Sequence, residues 1–278
     1  MNTHSERKPM HQRGLASESK SKSTLCVEDS PRQAAGSFNG VLIIDKPEGW
    51  TSHDVVAHVK KRLGARKVGH LGTLDPIATG VLPLVIDGAT KFARFLDAGK
   101  KEYIARLRLG VETDTYDGAG NAVATADCSH IKEEDIERVL SSFRGRITQV
   151  PPMYSAVKRN GTPLYKLARK GITVERETKE VEIFELDVTA VEPPFVDFRA
   201  LCSRGTYIRA ICHDAGRALG CGAHMAALRR VRCGDFSIAE AVGPKAEIDA
   251  IRSAIIPLEA AMARSRAPLE AAEGKAAG

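Results

Sequence analysis

Between Lys101 and Gly110 the chain reads KEYIARLRLG, in which Tyr103, Ala105, Leu107 and Leu109 alternate with Ile104, Arg106 and Arg108. A period of two puts successive side chains on opposite faces, so this is a strand with one face more polar than the other. Other segments are strand-like too. GVLIIDKP opens the patterned part as a short apolar run bounded by Gly and Pro, VLPLVI follows at 81–86, and alternating stretches cover Thr178–Val191 and Phe195–Cys202. Helical spacing is rarer. It occurs at Val55, Val56, Val59 and Leu63, between Ser52 as cap and Gly64 as stop, and in a short helix around Ala89–Leu96. It recurs in Lys132–Phe143, in Leu164–Lys170 before Gly171, and from about Thr206 to Leu219 before Gly220. Asn160-Gly161 is a hairpin-type turn. Strands outnumber helices and hairpin-like neighbours recur, which predicts an α+β fold: a mixed, mainly antiparallel sheet with packed helices. A doubly wound parallel fold requires more regular strand–helix alternation.

Patterning also sets the domain limits. Residues 1–37 are polar without apolar periodicity and read as a disordered arm, 38–262 as one folded domain, and 263–278 as a flexible Ala-rich tail. No apolar stretch approaches the roughly 18–20 residues of a membrane span, and the polar N-terminus has no signal-peptide core. Six cysteines without a CxxC pair fit reduced thiols, and the chain is read as cytoplasmic. Cys212, His213, Cys221 and His224 offer four possible zinc ligands. Adjacent residues on a helix diverge by about 100°, however, so Cys212 and His213 cannot both face one ion, and no metal is expected.

Formal net charge is +6. Arg204, Arg209, Arg217, Arg229, Arg230 and Arg232 crowd a segment whose sole acid is Asp214, predicting a positive field that attracts polyanions such as nucleic acid.

The chemistry-bearing candidate is the loop Gly69-His70-Leu71-Gly72-Thr73-Leu74-Asp75-Pro76. Its glycines and Asp-Pro imply a backbone held in turns between two regular elements, where catalytic groups tend to lie, although Asp before Pro is also a common turn former. It lacks the terminal Gly-Lys-Ser/Thr of a phosphate-binding loop, and HExxH, GxSxG and dinucleotide fingerprints are missing throughout, so no cofactor is expected.

Five ordered segments carry a resemblance. GVLIIDKPEGWTSHDVV, VGHLGTLDPIATGVLPLVIDGATKF, KEYIARLRLGVETDTYDGAG, PPMYSAVKRNGTPLYKLARKG and CSRGTYIRAICHDAGRALG, the last running on to AALRR, resemble the TruB family of tRNA pseudouridine synthases over residues 38–258. The resemblance implies the pseudouridine synthase fold, a catalytic domain at 38–262, and isomerisation of the T-loop uridine of tRNA, uridine-55, without a cofactor. It makes Asp75 the essential carboxylate, Tyr103 a base contact and proton-transfer candidate, and Arg209 the partner of Asp75. Tyr207 would line the base pocket, His70 would enter the space the base leaves, Lys91 would lie near the RNA backbone, and Leu228 would wall the pocket. The reaction breaks N1–C1′, turns the uracil and rejoins it through C5. A carboxylate serves it by adding to the sugar or the base, or by stabilising a cationic sugar. An adjacent guanidinium keeps that carboxylate charged while closure by RNA pushes its pKa up.

Against longer family members, the segment after the matched residues predicts no full C-terminal PUA domain here. The guide-RNA-dependent H/ACA branch has a similar loop but also carries such a domain and docking surfaces. A non-catalytic RNA-folding protein is the alternative from another class. Partners are expected to be tRNA alone, with no membrane and no obligate protein partner, the chain acting as a monomer.

Overall fold

Burial in the strand Lys101–Leu109 alternates as its sequence does, with Tyr103, Ala105, Leu107 and Leu109 inside and Ile104, Arg106 and Arg108 outside. This strand lies in the interior of a large sheet. The computed structural model describes residues 38–97 and 99–273, with side chains described to residue 265. The expected disordered arm at 1–37 lies outside the described residues.

The chain begins with β1 (Gly40–Lys46), α1 (Ser52–Leu63), β2 (Val68–His70) and β3 (Ala78–Ile86), then a 3-10 turn at Asp87–Phe92 and α2 (Ala93–Leu96). Next come β4 (Lys101–Leu109), β5 (Val111–Thr113), β6 (Ala122–Thr125), α3 (Glu133–Ser141) and β7 (Gly145–Gln149). A small hairpin, β8 (Lys158–Arg159) and β9 (Thr162–Pro163), leads into α4 (Leu164–Ala168). The last part comprises β10 (Lys179–Glu192), β11 (Phe195–Cys202), α5 (Ile208–Ala218), β12 (Ala223–Cys233), β13 (Phe236–Ser237), α6 (Ile248–Ser253), β14 (Ile256–Pro257) and α7 (Leu258–Glu273). No helix among the described residues is long and apolar enough to cross a membrane.

The main sheet runs β14-β1-β3-β12-β4-β11-β10-β7, with β2 and β13 attached to β3 and β12. Every pairing is antiparallel except β3 with β12. The fold is therefore the expected α+β type with a mixed, mainly antiparallel sheet. At the parallel contact Gly80 faces Arg230, and a side chain there would collide with the Arg230 backbone. Gly80 also has φ +99°, so glycine is required twice over.

Helices α1, α3 and α5 bury Val55, Val59 and Leu63, Ile136, Val139 and Leu140, and Ile208, Ile211 and Ala215 in one cluster with Leu42, Leu84, Leu107 and Phe198 of the sheet. Burial of such side chains, about 1.5–3 kcal/mol each, is what holds the layers together. A smaller cluster containing Val41, Ile43, Val81, Val85, Leu96, Phe236 and Ala261 joins β1 and β3 to α2 and α7. On the polar face, Arg106 pairs with Asp197 at 2.6 Å, and Arg199 pairs with Glu102 and Glu185 at 2.7 and 2.6 Å.

Four features differ from the sequence reading. Thr51, not Ser52, caps α1, in a reciprocal pairing with Asp54, and Ser52 is freed for another role. β12 is a central strand that the arginine-rich sequence concealed. The last helix runs to Glu273, through much of the stretch read as a tail. The arginine cluster is divided: Arg209 and Arg230 are buried, Arg229 pairs with Asp45 at 2.8 Å and Arg232 with Glu102 at 3.2 Å, and Arg204, Arg217 and Arg232 are exposed. The Asn160-Gly161 turn stands as expected, with φ +48° and +78° between β8 and β9. Of the residues weighed as zinc ligands, Cys212 is packed in the core, His213 stacks on Tyr116 and His224 Nδ1 contacts the Val111 carbonyl at 2.8 Å.

Candidate active site

The loop between β2 and β3 is held carbonyl by carbonyl. Arg230 Nη2 donates to Gly72 O at 2.7 Å, and its Nε donates to Val81 O at 2.8 Å. The Ser52 hydroxyl donates to Leu74 O at 3.0 Å and accepts from Leu74 N at 2.9 Å. Pro76 O accepts from Gly49 N at 2.9 Å and from Lys46 Nζ at 3.3 Å. Asp75 lies inside this frame, so its backbone is fixed on both sides.

Its carboxylate meets a fork. Arg209, in the first turn of α5, places Nε 3.0 Å from Asp75 Oδ2 and Nη2 3.2 Å from Oδ1. The guanidinium side chain is 4% exposed, the carboxylate 32%. The remaining contacts of Arg209 are the carbonyls of Thr115 and Tyr154, at 3.1 and 3.0 Å, and Asp117 Oδ2, 3.4 Å from Nη1. One buried cation thus answers two carboxylates, and Asp75 is the one that keeps an opening to solvent. Burial raises the Asp75 pKa, Arg209 opposes that rise and Asp117 adds to it. The upward push expected on closure by RNA is therefore already present.

Tyr207 precedes α5 at its N-cap. Burial raises its phenol pKa, Ser155 and Arg209 lower it, and Asp75 raises it, so the ring lies within electrostatic reach of the Asp–Arg pair. Tyr103 is buried on β4, opposite Ala200 on β11 and Arg230 on β12. Desolvation keeps its phenol firmly neutral, against the pull of Arg230. Leu228 is buried on β12, paired with Ala78 of β3 and Ala105 of β4. His70 ends β2, edge-on to His53 with ring centroids 5.5 Å apart, and burial lowers its pKa to about 4. Lys91 is exposed on the 3-10 turn after β3. Among the described residues, no hydrogen bond or ion pair joins His70 or Lys91 to Asp75. The geometry gathers Asp75, Arg209 and Tyr207, places Arg230 beside Tyr103 and within electrostatic reach of His70, and gives Lys91 no hydrogen bond or ion pair with them among the described residues.

Three further residues belong to this centre. Asp117 is buried, accepting from Thr115 Oγ1 at 2.7 Å and Ala119 N at 3.1 Å, and in sequence it looks like any Asp-Gly turn. Lys46 is fully buried and donates to Pro47, Trp50 and Pro76 carbonyls, and desolvation lowers its pKa to about 8. A lysine closing an apolar strand was its visible signal. Ser52 had none, since a serine before a helix reads as a cap.

Known proteins resemble this chain. The N-terminal domain of TruB family pseudouridylate synthases matches residues 60–208, and the tRNA pseudouridylate synthase B C-terminal domain matches 209–263. A tRNA pseudouridine synthase B of Syntrophotalea carbinolica is 52% identical over 205 residues, 74% of this chain and 67% of the relative. One of Clostridium kluyveri is 48% identical over 226 residues, 81% of this chain and 78% of the relative. Among solved structures, a Cbf5-Nop10-Gar1 complex superposes with a TM-score of 0.64 at 34% identity, covering 81% of this chain and 61% of that one. An H/ACA RNP bound to a substrate RNA containing 2′-deoxyuridine gives 0.61 at 31%, with the same 81% and 61% coverage. The chain thus spans less than two thirds of those two solved chains.

Fold and matched segments together define a pseudouridine synthase, an isomerase acting on RNA uridine. Within that class, the chain belongs to the TruB family.

Proposed function

We propose that this protein converts the T-loop uridine of tRNA, uridine-55, to pseudouridine, acting in the cytoplasm as a monomer and using Asp75 as its catalytic carboxylate. The observation that carries the role of Asp75 is the two-point grip of Arg209 on a carboxylate that remains open to solvent. Arginine is suited to this because its planar fork fixes both oxygens at once, which a lysine point charge cannot do.

In this reading the target nucleotide leaves the RNA stack and the cost is recovered against the pocket. Stacking on an aromatic ring such as Tyr207 returns about 1–3 kcal/mol. Asp75, ionised and aimed by Arg209, adds to the base or the sugar or stabilises a cationic sugar while N1–C1′ breaks. The uracil turns, C5 bonds to C1′, any bond that Asp75 had formed breaks to return the free carboxylate, the C5 proton leaves and N1 gains one, so the atoms balance with no net transfer. The neutral phenol of Tyr103 is proposed to relay the C5 proton. Leu228 walls the pocket, His70 fills the place left by the base, and Lys91 meets the RNA backbone. All these groups lie in one chain, so this reading needs no second subunit to complete the site.

The test is pseudouridine-specific chemical mapping of an unmodified tRNA transcript with the wild-type protein and with Asp75→Asn. Conversion of a single T-loop uridine by the wild type alone is expected. Tight binding by both proteins with no modification by either would transfer the reading to an RNA-folding role.

A further inference from the structure

Gln149, the last residue of β7, is 2% exposed, and its carboxamide lies against the backbone of Tyr207. Oε1 accepts from Tyr207 N at 3.0 Å, and Nε2 donates to Tyr207 O at 3.2 Å. This is the exchange of one N–H and one C=O by which strand residues pair, here supplied by a side chain. It falls where the chain needs it. Tyr207 has φ −103° and ψ 104°, the final extended residue before α5, and its own side chain makes no capping bond. Its carbonyl also accepts the first helical N–H groups, from Ala210 at 3.1 Å and Ile211 at 3.3 Å.

The strand exit continues the contact. Five residues after Gln149, the carbonyl of Tyr154 accepts Arg209 Nη2 at 3.0 Å, and Ser155 then faces the Tyr207 phenol. A single stretch, 149–155, therefore touches Tyr207 at its backbone and Arg209 at its guanidinium.

We infer that Gln149 is a positioning residue for the uridine site. Its amide sets the backbone of Tyr207, and so aims both the Tyr207 ring and, two residues on, the Arg209 fork that holds Asp75. The inference rests on the uridine-isomerase reading above. A buried amide that merely satisfied its own polar atoms would support stability without affecting turnover, and the two roles separate experimentally.

Two variants of the full chain make the test, assayed by single-turnover modification of a tRNA transcript, tRNA binding and thermal unfolding. Gln149→Met keeps the length and removes both hydrogen bonds. A loss of rate on the order of ten-fold to a hundred-fold is expected, because small misplacements of catalytic groups cost that much, with tRNA affinity close to wild type and a melting temperature that is lowered, because the Tyr207 N–H loses its partner, but stays well above the assay temperature. Gln149→Glu is nearly isosteric. Protonated, it offers one donor and one acceptor as the amide does; ionised, it turns an acceptor on the Tyr207 carbonyl. Its rate is expected to fall relative to wild type as the pH rises through the titration of the introduced acid.

A wild-type rate in Gln149→Met overturns the inference. If that variant does not fold, a Gln149→Glu rate that tracks the wild type across the pH range overturns it. Tyr207→Ala separates the inference from the reading beneath it. A normal rate in that variant removes Tyr207 from the pocket and the inference with it. A slow Tyr207→Ala beside a normal Gln149→Met leaves the pocket reading intact and removes Gln149 alone.

Discussion

Asp75 and Asp117 share one guanidinium: Arg209 gives Nε and Nη2 to the first, at 3.0 and 3.2 Å, and Nη1 to the second, at 3.4 Å. The two acids are unequal, because Asp117 is enclosed and further held by Thr115 and Ala119 while Asp75 opens outward. Asp117 therefore acts as a fixed counter-charge that orients Arg209 and also raises the pKa of Asp75.

Neutralising the enclosed acid moves the acid limb of activity downward. Asp117→Asn removes a negative charge that raises the Asp75 pKa and leaves Arg209 to Asp75 alone, and both changes favour the ionised form. The pH–rate profile under single-turnover conditions should keep its shape with its acid limb at lower pH. The plateau should fall by on the order of ten-fold as Arg209 loses a hold.

Removing the cation acts in the opposite direction. Arg209→Met leaves desolvation and Asp117 to act on Asp75 together, so the acid limb moves to higher pH. Loss of the shared partner also leaves buried charge unanswered, costing about 3–5 kcal/mol of stability. Urea unfolding read beside the pH–rate profile checks both effects.

Thr51 and Ser52 are adjacent hydroxyls with separable tasks. Thr51→Ala should cost about 1 kcal/mol by loss of the α1 cap, with turnover unchanged. Ser52→Ala leaves the Leu74 N–H and carbonyl without their side-chain partner beside Asp75, costing about 1–3 kcal/mol and lowering the rate. If the two variants lose turnover equally, the loop clamp is not at work.

Acid should weaken the folded state through His70. Burial lowers its pKa from 6.5 to about 4, so between those values the unfolded chain binds more protons than the folded one. Stability therefore rises with pH across that window and is lost as pH falls through it. His213, shifted the same way by burial, adds to the trend. Melting temperatures of wild type and His70→Gln measured from pH 7 downward should diverge, the variant showing the shallower loss.

What was legible follows from the reach of local chemistry. The alternation of β4 survives because one of its faces is buried and the other carries ion pairs. The Asp75 loop shows through its glycines and Asp-Pro, and the 160–161 turn through the backbone needs of Asn-Gly. β12 was hidden because AHMAALRRVRC does not alternate cleanly, and its pairing with β4 shifts register after Met225 and again after Arg230. Its arginines looked alike because charge density along a chain carries no direction, although only Arg229 and Arg232 reach the surface. In the fold Arg230 points inward, to Gly72 and Val81. Asp117 and Gln149 were equally silent, since each matters only through a residue more than fifty positions away.

The place of β12 also governs when the molecule can exist at all during synthesis. It lies between β3 and β4, yet it is made more than a hundred residues after either. Until Ala223–Cys233 has left the ribosome, the strand pairings available fall into two ribbons, β1 and β2 with β3, and β4 with β11, β10 and β7, with nothing to join them where the seam will be. Arg230 reaches Gly72 only when that seam closes, so the Asp75 loop receives its buried support late. A nascent chain halted before Ala223 would carry the Asp75 and Tyr103 segments on separate ribbons, and its exposed edges are the surfaces on which such chains aggregate.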